Sequence, residues 1–321
     1  MKFSTRKALK VAVPMAIGLL LVWYSYYKTS PEDRSQILHY IQEADPFWVG
    51  LSVVLGIIGH ISRAIRWQYT LEPLGYRPKL TNSVLIILIS YFANLGIPRT
   101  GEILRATALT TYEGVPFEKG FGTVVTERII DVLMLLLVIA VTLLLQTDIL
   151  LAFLQDKGLN LTGLLGLLVL GVFGAVFFFL FIKKSTNFVA IRLKIFLKGL
   201  LDGVFSIFKM RRKWAFMVHT FFIWSCYIAM LWVIKFTVPE TISLTLSQLL
   251  VAFVVGAFAM ATTNGGIGLY PIAVSSALAI FGISTVSGDA FGWIMWIAQT
   301  LMIVVFGAIS FLILPLCNRE K

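Results

Sequence analysis

The stretch YFANLGIPRTGEILRATALTT, residues 91–111, interrupts an apolar run and determines how the rest of the chain is interpreted. Pro98 and Gly101 break the run, and Arg99, Glu102 and Arg105 add three charges at helical i,i+3 spacing. At membrane depth, irregular backbone and ionisable groups occur where protein buries them or where they line a wet cavity. We therefore predict a membrane hairpin whose tip carries a charged site. A cytosolic loop with an ordinary interfacial ion pair is the alternative.

The composition indicates a polytopic helical membrane protein. The 321 residues are 58% hydrophobic and 13% charged, with a mean hydropathy of +0.89. The apolar runs are continuous rather than alternating, which favours an α-helical bundle over a β-barrel. The net charge of +11 comes mostly from residues that flank apolar runs, so we expect no nucleic-acid partner. Two cysteines argue against a disulfide framework.

Apolar runs of suitable length predict about six full transmembrane helices. The run that follows the basic N-terminus is long and ends in an aromatic belt, which favours an uncleaved span over a signal peptide. The last run ends at Arg319 and Lys321. The positive-inside rule therefore predicts a multi-pass protein of the cell (inner) membrane with both termini in the cytoplasm. The six predicted spans cover residues 8–27, 46–62, 120–146, 159–182, 214–236 and 291–316.

Charge parity requires one interrupted segment to enter and leave the membrane by the same face. Residues 63–79 and 183–213 are both basic, and the latter holds nine Lys or Arg against one acid, Asp202. Both segments therefore belong inside, yet three apolar segments separate them. We expect residues 84–111 to form the re-entrant hairpin. The pattern of residues 183–213 predicts an amphipathic helix on the inner leaflet, with calmodulin-type partner binding as the alternative.

A second interruption, TTNGGIGLYP at residues 262–271, lies within the apolar run 246–281. It predicts either another re-entrant hairpin or two short spans, and charge counting does not decide between them. Asn264, Gly265 and Gly266 offer backbone N–H groups and an amide that suit an oxyanion or a lipid head group. Close helix packing through small residues is the alternative.

The span 120–146 carries ionisable residues in its first half. Glu127 and Asp131 share a helix face and need a cation near them, while Arg128 is placed to pair with Asp131. A balanced set of charges can survive desolvation, and a lipid phosphate could compete for its arginines. A snorkelling interfacial cluster is the alternative. The predicted substrate-binding residues are Asn94, Arg99, Glu102, Arg105, Glu127, Arg128, Asp131, Asn264, Gly265 and Gly266.

The chain is predicted to be a single integral membrane domain, residues 1–321, containing an inverted repeat. The order span, interrupted segment, span occurs at about residues 46–146 and again at about 214–316. Asn94 and Asn264 occupy equivalent places at the two interruptions, at an offset of about 170 residues. The first unit begins outside and the second inside. Inverted repeats with discontinuous helices near the midplane are a transporter architecture.

These motifs resemble the lysylphosphatidylglycerol-synthase transmembrane-region family, the flippase-like domain of the multiple peptide resistance factor. The resemblance covers nearly the whole chain, although Leu269-Tyr270-Pro271 follows the glycines where an acidic residue is expected, and the soluble aminoacyl-transfer domain is absent from the sequence. The resemblance implies a polytopic module that moves lipids, or glycan- or amino-acid-modified lipids, between leaflets. The matching residues are Arg66-Trp67, Asn94-x-x-x-Pro98-Arg99-x-Gly101-Glu102-x-x-Arg105-Ala106, Glu127-Arg128-x-x-Asp131 and Asn264-Gly265-Gly266-x-Gly268.

The sequence features are compatible with three functions. A lipid transporter without enzymatic activity is favoured, driven downhill or by an ion because no Walker-type motif is present. A membrane-embedded transferase that uses a polyprenyl-linked donor is the alternative, but we find no Asp-x-Asp pair and no His/Cys metal cluster. A non-catalytic partner of a cell-envelope enzyme is the third. We expect a lipid or lipid-linked substrate, no cofactor or metal, and a homo-oligomer or an envelope-synthesis enzyme as possible protein partners.

Overall fold

The computed structural model describes residues 5–97, 99–148 and 210–319, and within these ranges the chain forms ten α-helices and no β-strand. The predicted all-α class is confirmed. The helices are α1 (Thr5–Lys28), α2 (Pro31–Gln42), α3 (Pro46–Leu71), α4 (Leu80–Gly96), α5 (Thr100–Glu113), α6 (Phe117–Leu145), α7 (Lys213–Ile234), α8 (Leu246–Thr262), α9 (Leu269–Ala279) and α10 (Thr285–Leu316).

Four of the described helical segments are long and apolar enough to cross a membrane, namely Pro46–Leu74, Phe117–Leu145, Lys213–Thr237 and Thr285–Leu316. They coincide with four of the six predicted spans. Helix α1 covers a fifth, residues 8–27. The sixth, residues 159–182, lies outside the described residues, as does all of the predicted amphipathic segment 183–213 except its last four residues.

The chain divides into two compact units. One unit comprises the residues up to Glu127 together with those from Met210 onward, and the other begins at Arg128. The first unit contains two apolar cores of buried side chains. One surrounds Phe291 of α10 and joins α7, α8 and α9, and the other surrounds Trp67 of α3 and joins α4 and α5.

Residues 80–113 fold into a helical hairpin, hairpin 1, made of α4 and α5. The chain leaves α4 through an extended Ile97, and Arg99 adopts a left-handed conformation with φ of 63°. The Oδ1 atom of Asn94 then accepts a hydrogen bond of 2.8 Å from the Gly101 backbone N–H. A Cβ atom at Gly101 would collide with the Ser90 carbonyl oxygen, so glycine permits the close return of α5.

The base of hairpin 1 is closed by hydrogen bonds between the start of α4 and the end of α5. The Oε1 atom of Glu113 accepts from the Lys79 backbone N–H at 3.2 Å and from the Asn82 side-chain amide at 2.5 Å. Asn82 also bonds to Asn318, which follows α10. The start of α4 and the end of α5 therefore lie side by side, as the predicted re-entrant path requires. The position of hairpin 1 in a bilayer stays a prediction.

The second interruption also forms a helical hairpin, hairpin 2, made of α8 and α9. The two helices are joined by a turn in which Gly265, Gly266 and Gly268 have φ of 61°, 77° and 70°. The close approach of Gly256 to Tyr270 packs α8 against α9. Helix α9 has 11 residues, so it rises about 16 Å, roughly half the thickness of a hydrocarbon core. This length favours re-entrance over two complete short spans.

The tips of the two hairpins meet. A Cβ atom built on Gly265 would lie 2.7 Å from Cδ2 of Leu95, which places the turn of hairpin 2 directly against the end of α4. The Trp296 indole of α10 donates to the Gly265 carbonyl oxygen at 2.8 Å and fixes this turn. Gly18 of α1 packs against Ile267. The two interruptions are therefore adjacent in space although they lie far apart in sequence.

The first helices of the two predicted repeats, α3 and α7, pack antiparallel. Ser52 near the start of α3 donates to the Met230 carbonyl oxygen near the end of α7, and Ser62 bonds to His219 near the start of α7. Antiparallel packing agrees with units of opposite orientation. The order long helix, hairpin, long helix occurs twice, in α3–α6 and in α7–α10. The inverted repeat and the single-domain organisation themselves stay predictions.

Candidate functional site

Three buried charged side chains from three different helices meet in the first compact unit. Arg66 of α3, Arg105 of α5 and Glu127 of α6 are 0%, 3% and 1% exposed. The Oε1 atom of Glu127 lies 3.3 Å from Nε of Arg66, and its Oε2 atom lies 2.5 Å from Nη2 of Arg105. One carboxylate thus bridges two guanidinium groups. We call these three residues the Arg–Glu–Arg cluster.

Aromatic and hydroxyl side chains hold the cluster in place. The Arg105 guanidinium lies 3.7 Å from the ring centroid of Trp67, a distance at which cation–π attraction is strong. The Trp67 indole N–H donates to the Thr123 hydroxyl at 2.9 Å, which fixes the ring relative to α6. Arg66 donates to the Thr220 hydroxyl of α7 at 3.3 Å. Four helices therefore position the two arginines.

The cluster lies part of the way along the helices that carry it. Arg66 is five residues from the end of α3, and Glu127 is ten residues from the start of α6. At 1.5 Å per residue these separations are about 8 Å and 15 Å. Both helix ends lie on the side that the charge rule assigns to the cytoplasm. The charge rule therefore predicts that the cluster lies within the inner half of the hydrocarbon layer.

Guanidinium groups are numerous around this cluster. Arg63, one turn before Arg66 on α3, is also buried and donates to the Tyr227 hydroxyl at 2.9 Å. The buried charged side chains here are thus three arginines and one glutamate, while Glu102 is half-buried one turn before Arg105. Planar guanidinium groups bind phosphate and carboxylate oxygens in pairs of parallel hydrogen bonds. The arrangement suits an acidic head group better than a cationic one.

The structure brings together only part of the predicted charged set. Arg105 and Glu127 are joined directly, but Arg99 is exposed at the tip of hairpin 1 and does not enter the cluster. Arg128 and Asp131 belong to the second compact unit, where they pair locally at 3.7 Å, as their spacing predicted. Their side chains are 39% and 13% exposed.

The predicted polar residues of the two interruptions have different roles. Asn94 holds hairpin 1 together through the Gly101 N–H. Asn264 is 1% exposed, and neither its amide nitrogen nor its amide oxygen has a hydrogen-bond partner among the described residues. A buried amide without partners is costly, so a water molecule or a polar ligand group is expected there. Gly265 and Gly266 form the turn beside it. The substrate-binding role of all these residues stays a prediction.

The predicted substrate-binding residues include none from α3, although the family resemblance contains Arg66-Trp67. A second span that ends at Ser62 puts Arg63, Arg66 and Trp67 in a basic inner loop, whereas α3 continues to Leu71. This part of the interpretation was wrong. The signal was available in the spacing, since Arg63 and Arg66 recur at i,i+3 and share a face of a continued helix.

Comparison with known proteins places the chain in a family of membrane proteins. The profile of the lysylphosphatidylglycerol synthase transmembrane region matches residues 11–307. A protein named Glycosyltransferase AglD from Haloferax volcanii is 30% identical over 134 residues, 41% of this chain and 22% of that protein. A UPF0104 membrane protein from Methanocaldococcus jannaschii is 31% identical over 99 residues, 30% of each chain.

A UPF0104 membrane protein from Methanothermobacter thermautotrophicus is also 31% identical, over 97 residues that make up 30% of this chain and 28% of that protein. The matched segments thus span less than a third of each of these relatives. No solved structure matches the chain. The family match covers most of the described helices, including both hairpins and the Arg–Glu–Arg cluster. The chain therefore belongs to the family of lysylphosphatidylglycerol synthase transmembrane regions.

Proposed function

We propose that the chain is a flippase-like lipid transporter that moves a polar lipid head group between membrane leaflets without enzymatic activity. The observation that carries the proposal is the buried Arg–Glu–Arg cluster beside hairpin 1. Charged side chains at membrane depth are expensive, and they commonly mark the path of a polar substrate. The substrate classes are a phospholipid, an aminoacylated lipid or a lipid-linked glycan.

The chemistry of the cluster supports an exchange of anions. Arg66 and Arg105 are bridged by the Glu127 carboxylate, whose two oxygens resemble those of a phosphate diester. A lipid phosphate that enters the site takes over the guanidinium hydrogen bonds, and the carboxylate takes them back when the lipid leaves. The arginines are thus never left without an anion, which lowers the cost of each step.

The hairpins supply the element that moves. Their tips meet at Leu95 and Gly265, and glycines with positive φ give the turn of hairpin 2 conformational freedom. Broken helices that meet near the midplane allow a head group to be passed from one side to the other when one repeat rocks against its mate. Asn264, buried at this junction, supplies an amide for the polar group in transit.

A lipid-vesicle assay tests the proposal. The purified protein is reconstituted in liposomes that contain phosphatidylglycerol labelled with nitrobenzoxadiazole on the head group, and added dithionite reports the label in the outer leaflet. We expect label to become accessible faster than in empty liposomes. Arg105→Gln and Glu127→Gln should slow this at least tenfold, the equivalent of about 1.4 kcal/mol.

Arg77→Gln is the matched control, because Arg77 is 81% exposed and pairs with Glu72 outside the cluster. It should leave the rate unchanged. A second vesicle set with a labelled lipid-linked glycan separates the substrate classes. Equal rates in protein-containing and empty liposomes for every labelled lipid would contradict transport.

A membrane-embedded transferase that uses a polyprenyl- or lipid-linked donor is the second candidate. The observation that favours it is the partial similarity to a protein named as a glycosyltransferase. The matched part is less than a quarter of that relative, so the similarity does not identify the transferase portion. Product formed from an activated donor, in vesicles where no labelled lipid moves, would favour this candidate over transport.

A further inference from the structure

A cavity of about 470 Å³ lies between the end of α1, the start of α2, helix α9 and the start of α10, and none of its lining residues belongs to the Arg–Glu–Arg cluster. It is at the base of hairpin 2. Asp289, at its floor, is four residues from the start of α10, about 6 Å at 1.5 Å per residue. The charge rule assigns this end of the molecule to the outer side.

The lining is rich in hydroxyl groups. Ser275 and Asp289 are 4% and 7% exposed and form its buried floor, where the Ser275 hydroxyl donates to the Thr285 carbonyl oxygen at 3.3 Å. The floor is thus a fixed carboxylate with a hydroxyl beside it. Other hydroxyl-bearing residues also line the cavity, namely Tyr24, Ser25, Thr29, Ser276 and Thr285.

The charges in the lining nearly balance. Lys28 lies at the exposed rim, and Asp33 and Asp289 are the two carboxylates. A bound phosphate would be repelled by two carboxylates, and a bound cation would be repelled by the Lys28 ammonium group. A neutral ligand with many hydroxyl groups avoids both repulsions, and its hydroxyl groups can donate hydrogen bonds to the carboxylates.

Apolar surface completes the site. Ile37, Ile272 and Val286 contribute side chains to the same cavity, and the Tyr24 ring lies at its edge. A sugar ring presents hydroxyl groups around its edge and C–H groups on its faces, so it matches a lining that alternates carboxylate, hydroxyl and aliphatic groups. The volume is sufficient for a mono- or disaccharide within the range of small-molecule pockets.

We propose that this cavity binds a neutral glycosyl group, free or as the head group of a membrane lipid, with the Asp289 carboxylate and the Ser275 hydroxyl oxygen accepting hydrogen bonds from its hydroxyl groups. The site is separate from the Arg–Glu–Arg cluster and does not require transport. It would hold a glycosyl group at the outer end of hairpin 2, and binding there is measurable in a protein that moves no lipid.

Saturation-transfer-difference NMR on the intact chain in phosphatidylglycerol nanodiscs tests the proposal, with methyl β-glucoside as the probe. We expect a saturable signal and a loss of affinity of about tenfold in Asp289→Asn, which removes a charge-assisted hydrogen bond. Ser275→Ala removes a neutral hydrogen bond and should lower the affinity by roughly threefold. Glu32→Gln is the matched control, since Glu32 is an exposed carboxylate next to Asp33 but outside the cavity lining. It should bind like the parent chain.

Tetramethylammonium and inorganic phosphate serve as comparators. Absence of a glucoside signal in the parent chain overturns the proposal, as does an equal glucoside signal in all variants, because the binding would then lie elsewhere. A tetramethylammonium signal that exceeds that of the glucoside and disappears in Asp289→Asn also overturns it, by identifying a cation site. In nanodiscs with added glucosyl diacylglycerol, competition identifies a lipid head group as the source, and no competition identifies a free saccharide.

Discussion

Removing the charge of Glu127 is predicted to destabilise the first compact unit more than removing any other single charge. In Glu127→Gln the side chain keeps its shape but loses its charge, so Arg66 and Arg105 lose the carboxylate that lies 3.3 and 2.5 Å from them. At an effective dielectric constant of 20 and about 4 Å between charge centres, each attraction is worth about 4 kcal/mol. Part of this offsets the desolvation of the three ions. We therefore expect a net loss of about 3–5 kcal/mol in the free energy of unfolding.

The measurement is an unfolding titration with sodium dodecyl sulfate in mixed micelles, followed by tryptophan fluorescence. Glu118→Gln is the matched control, because Glu118 lies on the same helix, α6, but is exposed. That substitution should change the free energy by less than about 1 kcal/mol. An effect of Glu127→Gln no larger than that of Glu118→Gln would refute the electrostatic account of the cluster.

A double-mutant cycle separates coupling from general damage. Arg105→Met removes the guanidinium from the Trp67 ring and from Glu127 but keeps an apolar side chain of similar length. If the two side chains act as a pair, the double variant should be less unstable than the sum of the single variants by about 1–3 kcal/mol. Additive losses would mean that the ion pair contributes no coupling energy.

Two further predictions concern the hairpins and the predicted outer end. Gly101→Ala should cost about 1–3 kcal/mol in the same titration, because the new methyl group meets the Ser90 carbonyl oxygen, whereas Gly96→Ala, with nothing within 4 Å, should be nearly neutral. The Ser284 backbone N–H donates to the Glu240 carboxylate at 2.9 Å and lowers the pKa of Glu240 below its usual 4.5. The stabilisation that this carboxylate provides should therefore be complete above pH 4.5 and should disappear as the pH falls through the lowered pKa. Unfolding of the parent chain and of Glu240→Gln across pH 3–7 checks this, and a difference that grows towards low pH would contradict it.

The class and the two interruptions could be predicted because they depend on local features of the sequence. Continuous apolar runs identify membrane helices, and Pro98 or the glycines after Asn264 identify places where a helix is interrupted. The charge rule added that residues 84–111 must return to the side from which they came, and the hydrogen bonds at Glu113 close a hairpin of that shape.

The composition of the cluster could not be predicted in the same way, because it depends on contacts between residues far apart in sequence. Spacing within one helix correctly paired Arg128 with Asp131. It grouped Arg99 with Arg105, although Arg99 sits at a left-handed turn and leaves the helical face. No local rule indicates that the partners of Glu127 come from α3 and α5, since helix packing decides which faces meet.

The position of Arg66 shows why charge counting fails in this part of the chain. An arginine near the end of an apolar run is normally explained by snorkelling to the interface, where its guanidinium remains hydrated. Arg66 is fully buried on α3, where it contacts Glu127 of α6 and Thr220 of α7. Burying that charge is favourable only when an anion is always present, so Glu127 is needed in the resting protein. The same requirement makes the site receptive to any anion that can replace Glu127, and this links the stability of the cluster to the proposed passage of a lipid phosphate.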